Sequence, residues 1–213
     1  MKTLIAIPCM ETVHTAFMQS VLQLKIPGDK HYGFATSSLI YDARNSLARM
    51  ALDSEADYVL WLDSDMVFQP DLYEELLSVI DDNHPMVCGL YFSRKEPIIP
   101  VIYSSLEPRK TESGGFIPEC VPYEDYPEEA VFNVAGCGFG AVLMKTQLIR
   151  EIAETYGPPF FPTEGYGEDL TFCRYVGKLG YRIRCNSHAK AGHIANAIVN
   201  EAVYKSRRKE KDK

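Results

Sequence analysis

Short apolar runs and amphipathic stripes alternate along the first half of the chain. Thr3 to Pro8 is an apolar run of strand length, and from about Thr12 the residues Val13, Ala16, Phe17, Val21 and Leu24 recur at the spacing of one helix face. Ile26-Pro27-Gly28 closes that helix. His31 to Ser37 predicts a second strand. The helix after it has Ile40, Ala43, Leu47 and Met50 as its buried stripe and Asp42 near its start, so that Arg44 and Asn45 project from the first turn. Residues 57–62 form a third strand. Pro70 then stands where a helix begins, with Leu72, Leu76 and Val79 on one face and Asp71, Glu74 and Glu75 at its positive end. Met86 to Phe92 and Ile98 to Tyr103 are the fourth and fifth strands. Alternation of this kind predicts an α/β fold with a mostly parallel central sheet flanked by helices.

The pattern dissolves between Ser104 and Ala130, where Pro108, Pro118, Pro122, Pro127 and the Gly114-Gly115 pair predict a long surface loop or small hairpin. Order returns at Val131 to Met144, an apolar segment interrupted by Gly136, Gly138 and Gly140. A helix through Leu148, Ile149, Ile152 and Ala153 runs to Gly157-Pro158-Pro159. After the aromatic, glycine-bearing loop 162–167, Glu168 and Asp169 open a helix whose Phe172, Val176 and Leu179 face the core and which stops at Gly180. Tyr181 to Cys185 predicts a short last strand. Residues 1–204 are expected to form one domain, and the basic run 205–213 a flexible tail.

Composition narrows the class. With 213 residues, 46% hydrophobic and 24% charged, the chain has the balance of a globular protein. A net charge of -7 argues against nucleic acid as a partner, because phosphate contacts need clustered Lys and Arg. No apolar run approaches the roughly 20 residues of a membrane span, and the opening stretch is short for a signal peptide, so a soluble, cytoplasmic location is expected. Six cysteines without a Cys-x-x-Cys pair predict reduced, mostly buried thiols.

The candidate chemistry centres on Asp63-Ser64-Asp65, directly after the apolar run Tyr58-Val59-Leu60-Trp61-Leu62. Ligands of open α/β sheets bind outside the carboxyl ends of strands, and carboxylates one residue apart in an extended segment point the same way, toward one divalent ion. His193 lies after the last strand, where it can return to complete the site, with His188 as competitor. Imidazole beside carboxylates favours Mn²⁺ over Ca²⁺. Glu168-Asp169 is the second acidic pair, at a helix start beside an aromatic loop, where Asp169 can take a proton from an acceptor hydroxyl. Arg44, Arg94 and Lys95 lie at or beyond strand ends and can neutralise a diphosphate. Gly136-Cys137-Gly138-Phe139-Gly140 has neither the spacing nor the following helix of a dinucleotide-binding loop, so close backbone approach or a bulged strand is expected there. The Asp63 and Asp65 pair is also that of haloacid-dehalogenase phosphatases, where Thr or Val stands at the fifth position and here the chain continues Met66-Val67. That reading is a minor alternative because there the pair follows the first strand, whereas here it follows the third.

Ala43-Arg44-Asn45, the segment from Ala56 to Met66, Gly167-Glu168-Asp169-Leu170 and Gly180-Tyr181, in this order and spacing, resemble glycosyltransferases of the GT-A fold, family-2-like, over roughly residues 3–195. The resemblance implies a metal-dependent, hexosyltransferase-like enzyme moving a sugar from a nucleotide-diphosphate sugar to a glycan, lipid or protein acceptor. It implies a Mn²⁺ or Mg²⁺ cofactor held by Asp65 with Asp63 and His193, and Glu168-Asp169 as the source of the base, Asp169 preferred. Pro8 and Thr12 fall where base and ribose lie, with Arg44, Asp63 and Arg94 also on the donor side. Without the Gln-x-x-Arg-Trp motif of processive synthases, a single-addition enzyme is expected. The alternatives are a catalytically inactive nucleotide-sugar-binding protein and a nucleotidyltransferase. The latter needs a glycine-rich basic loop where Cys9-Met10-Glu11-Thr12 stands.

Overall fold

The computed structural model describes residues 1–112, 114, 116–195 and 198–211. In chain order the elements of the first half are β1 (Lys2–Cys9), α1 (Thr15–Gln23), β2 (Asp29–Thr36), α2 (Ile40–Asp53), β3 (Tyr58–Leu62), β4 (Met66–Phe68), α3 (Leu72–Leu77), β5 (Met86–Leu90) and β6 (Ile102–Ser105). Then come β7 (Arg109–Lys110), β8 (Phe116–Ile117), β9 (Val121–Pro122), β10 (Val131–Val134), β11 (Gly136–Cys137), β12 (Ala141–Lys145), α4 (Thr146–Tyr156), α5 (Glu168–Lys178), β13 (Ile183–Ile194), β14 (Ile198–Val199) and α6 (Glu201–Lys211).

The central sheet has the order β10-β13-β5-β12-β3-β1-β2. β1 pairs parallel with β2 and β3, and β5 parallel with β13, while β12 runs antiparallel between β3 and β5 and β10 antiparallel at one edge. Five strands therefore point one way, and their carboxyl ends share one edge. This is the mixed, mostly parallel sheet that the alternation predicts. The side chains of β3 and β5 are almost wholly buried, as a sheet covered on both faces requires. One core cluster joins Trp61, Met144 and Phe172, and the other joins Ile5, Phe17 and Leu143. Trp61 packs edge-on to Phe139 at 5.9 Å and Phe160 at 4.9 Å between ring centroids.

Several boundaries differ from expectation. α1 begins at Thr15 rather than Thr12, and α3 stops at Leu77, leaving Val79 outside. Ile40 and Met50, at the two ends of the expected stripe of α2, are 42% and 40% exposed. The strand expected over Ile98 to Tyr103 starts at Ile102, and the three-residue β4 after Asp65 is an element the pattern does not predict. In the 104–130 stretch β7 and β8 make a small hairpin and β9 joins β6 and β11 in a separate sheet, while Gly115 lies outside the described residues.

The last strand is much longer than Tyr181 to Cys185. β13 runs twelve residues to Ile194, shifts register between Asn186 and Lys190, and leaves β5 to pair with β4 and β14. The buried polar residues that mask its pattern have partners: Asn186 Nδ2 donates to Glu75 O at 2.9 Å, and Ser187 Oγ to Ala130 O at 3.0 Å.

The basic tail is helical through Lys211, with Asp212 and Lys213 outside the described residues. Tyr204 anchors it by burying its ring. All six cysteines are free, four of them buried (Cys88, Cys137, Cys173 and Cys185) and Cys9 and Cys120 partly so. No helix among the described residues is long and apolar enough to cross a membrane.

Candidate active site

Asp63 and Asp65 leave the carboxyl end of β3 in a tight turn, in which Met66 N–H donates to Asp63 O at 3.2 Å. The turn feeds β4, which pairs antiparallel with the outer part of β13 so that His193 stands opposite Met66. Ile194 N–H also donates to Asp65 O at 2.7 Å. This register carries a histidine 128 residues away in sequence to Asp65, with Nε2 3.3 Å from Oδ2. The other ring nitrogen, Nδ1, is 3.0 Å from Phe92 O, which can only accept, so Nδ1 carries the hydrogen. Nε2 then faces a carboxylate and needs a proton or a cation between them.

The pair perturbs both groups. Burial alone pushes the Asp65 pKa up, but the His193 hydrogen bond and the charges of His193 and Arg94 outweigh it and hold the carboxyl below its ordinary range. For His193 burial acts downward, and Asp65 with the Phe92 carbonyl raises the net pKa. The Arg94 guanidinium completes the group with an ion pair to Asp65.

Asp63 does not share this focus. It turns to Arg44, whose Nη2 lies 3.0 Å from Oδ1, so the two carboxylates expected to face one ion diverge. Arg44 is 4% exposed, and its Nη1 donates to Glu168 Oε1 at 2.7 Å. One buried guanidinium thus bridges the end of β3 and the start of α5, resting 5.1 Å from the Phe139 ring centroid. Burial works against its charge, but Asp63, Asp169 and Glu168 raise its pKa. Removing it strands two partly buried carboxylates. Arg44→Ala is expected to lose about 3 kcal/mol of stability, with Arg44→Lys intermediate because an ammonium cannot span both partners. Urea unfolding measures this, and a loss under about 1 kcal/mol would show that the bridge does not hold the two halves together.

Asp169 sits on the first turn of α5, where Leu170 N–H donates to its Oδ1 at 2.7 Å. Burial pushes its pKa up, Glu168 and Asp63 add to the rise, and Arg44 opposes it. A carboxylate that holds its proton more tightly than usual suits general base work.

A cleft of about 380 Å³ at the strand ends is lined by Pro8, Arg44, Asp63, Asp65, Arg94 and His193. Thr12 is exposed and lies outside its wall, as do Glu168 and Asp169, which connect to it through Arg44. His188 is exposed and stands apart. Three contributors escape the sequence reading. Ser37 and Ser38 line the cleft, and a polar pair at the carboxyl end of a parallel strand is the signal that marks them. Tyr91, buried, meets His193 edge-on at 5.8 Å and accepts from Gly140 N–H at 3.3 Å. Nothing in its local sequence marks it. The glycine run makes room for this ring: a Cβ at Gly138 would fall 2.1 Å from Tyr91 Oη.

Residues 39–132, under half of the chain, match the family model described as glycosyl transferase family 2, an interval that includes Arg44, Asp63, Asp65 and Arg94. No curated protein matches the sequence. Among solved structures, A197 from STIV superposes with a TM-score of 0.68 at 21% identity, covering 92% of this chain and 86% of that one. GalNAc-T7, solved with UDP, GalNAc and Mn²⁺, superposes with a TM-score of 0.61 at 12% identity, over 91% of this chain and 44% of that one, so this chain spans less than half of its length. Sheet order and these superpositions show that the chain has the GT-A fold, and residues 39–132 carry similarity to glycosyl transferase family 2.

Proposed function

We propose that the protein moves a hexosyl-type sugar from a nucleotide-diphosphate sugar to a hydroxyl of a glycan, lipid or protein acceptor, with inversion and with Mn²⁺ or Mg²⁺ as cofactor. The observation that carries the reading is the orientation of His193, whose Nε2 faces Asp65 while Nδ1 is committed to the Phe92 carbonyl. Such a pair fits two positions of an open metal site. Among the described residues no group of three or more His, Cys, Asp or Glu side chains is placed to hold an ion, so Asp65 and His193 are the two protein groups that would hold it. The ion, when bound, offsets the negative charge that builds on the leaving nucleoside diphosphate.

The chain's own residues do the rest. Arg94, next to Asp65, gives the diphosphate a guanidinium partner, and Asp63, fixed by Arg44, offers carboxylate oxygens to the ribose. Pro8 and the Ser37-Ser38 turn wall the nucleotide side of the cleft. Asp169 accepts the proton of the acceptor hydroxyl as that oxygen attacks the anomeric carbon from the face opposite the departing diphosphate. The separation of Asp169 from the cleft wall is the observation that favours a nucleotide-sugar-binding protein without transfer.

Thermal stabilisation by UDP, GDP, CMP and their sugars, with and without Mn²⁺, tests the donor side. A ligand at a hundred times its Kd stabilises the native state by about 2.7 kcal/mol, roughly 5–10 °C for a chain of this size. One nucleotide should give a Mn²⁺-dependent rise of that order. No shift with any nucleotide overturns the donor assignment, and a shift without product in acceptor screens selects the binding protein.

A further inference from the structure

The C-terminal helix grips two segments beside the cleft. Tyr204, 4% exposed, stacks nearly face to face on Phe92, with centroids 4.5 Å apart and planes 20° apart, and its hydroxyl donates to Glu124 O at 3.3 Å. Arg207 pairs with Glu96, Arg208 with Asp125, and Lys205 with Glu128 at 2.7 Å. Three of the basic residues expected to form a solvated tail, Lys205, Arg207 and Arg208, are therefore paired with acids of this chain. Their partners lie on residues 92–96 and 124–128, and the first of these segments carries the two groups that orient the metal-facing pair. Phe92 presents its carbonyl to His193 Nδ1, and Arg94 its guanidinium to Asp65.

We propose that α6 is a strap that positions His193 and Arg94, with Tyr204 as the positioning residue that acts through Phe92. This rests on the reading of Asp65 and His193 as the metal-facing pair and adds the element that orients them. An imidazole presents a chosen nitrogen to a cation only while its other nitrogen is held, and a carbonyl acceptor holds it only if its own backbone is fixed. Two observations single out the ring stack. The Phe92 ring is wholly buried just past the end of β5, so its packing on Tyr204 adds to a backbone held by a bridge to Pro100 and by Val101 N–H to Tyr91 O at 3.0 Å and Ser93 N–H to Ile99 O at 2.9 Å. The Arg207–Glu96 pair is more than half exposed on both sides, a setting in which ion pairs contribute little alone.

The test uses the full chain and reads the imidazole itself. Long-range ¹H–¹⁵N spectra, with the His193 ring assigned by its disappearance in His193→Gln, are compared for wild type, Tyr204→Phe and Tyr204→Ala. A slowly exchanging Nδ1–H is expected in wild type and in Tyr204→Phe, which keeps the flat ring, and is expected to be lost in Tyr204→Ala. Should the alanine variant fail to melt cooperatively, Tyr204→Leu takes its place, because it fills the space without a flat face. Mn²⁺ titration in parallel is expected to show about tenfold weaker binding in the alanine or leucine variant and rescue in Tyr204→Phe. An Nδ1–H signal unchanged in Tyr204→Ala or Tyr204→Leu overturns the strap, whatever the metal result. Loss of the signal in that variant while wild type binds no Mn²⁺ upholds the strap and overturns the metal assignment instead.

Discussion

Asp65→Ala is expected to abolish sugar transfer, by at least about 10²–10³-fold, while leaving the fold intact. The side chain is the meeting point of His193 Nε2 at 3.3 Å and the Arg94 guanidinium, and among the described residues no other carboxylate shares that point, because Asp63 is turned to Arg44. The loss therefore cannot be made up by its neighbour two residues earlier. Stability should change by no more than about 1 kcal/mol, since the groups left behind are partly exposed and can be rehydrated. Two measurements check this together: initial rates with the donor identified by thermal shift, and the Mn²⁺-dependent part of that shift, which should vanish. Full activity in the variant sinks the assignment of Asp65 as the metal-facing ligand.

Asp169→Asn should separate binding from chemistry. The amide keeps the size of the carboxylate and can still accept from Leu170 N–H, so donor binding is expected to be unchanged, while transfer falls by about 10²–10⁴, the usual share of a general base. The raised pKa fixes the sign of the pH dependence. A base must be ionised to act, so kcat/KM of the wild type should rise with pH through a value above the ordinary aspartate value of about 3.9, and residual activity of the variant should lack that limb. Linkage runs the other way for stability. A folded-state pKa above the unfolded one means that the native state prefers the protonated acid, so that contribution is full below the unfolded pKa and is lost as pH rises through the folded pKa. Asparagine cannot ionise, so the variant should melt at or above the wild-type temperature at pH 7. A lower melting temperature together with normal turnover would return Asp169 to a helix-capping role.

Much of the first half was legible because its signals are local. Burial on both faces makes β3 and β5 continuous apolar runs, and the stripe of α2 from Ala43 to Leu47 is a three-to-four repeat. The end of β3 placed Asp63 and Asp65 at the cleft for the same reason. What the sequence could not show are contacts made by register. β13 hides behind Asn186, Ser187 and Lys190, which interrupt its apolar pattern, so its true length, and with it the route by which His193 reaches Asp65, depends on β4, a three-residue strand too short to leave a signal. The divergence of Asp63 from Asp65 is set by a guanidinium 19 residues away, and that of Glu168 from solvent by the same group. Charge made the tail read as solvated because its basic residues outnumber its anchor, Tyr204, and the acids that pair with Lys205, Arg207 and Arg208 lie 77 to 111 residues earlier.

The position of β12 has a consequence for how the chain matures. β3 and β5, both synthesised early, never touch along their length, since the strand that joins them spans Ala141–Lys145, and β5 gains its second neighbour only with Ile183–Ile194. A nascent chain that ends at residue 132, the limit of the family match, therefore holds the acidic turn on a sheet with open edges and without its histidine. Pairings this distant in sequence are slow to form and expose strand edges meanwhile. The matched interval is thus a recognisable stretch of sequence but not a transplantable unit, and competence arrives only once β13 has been made.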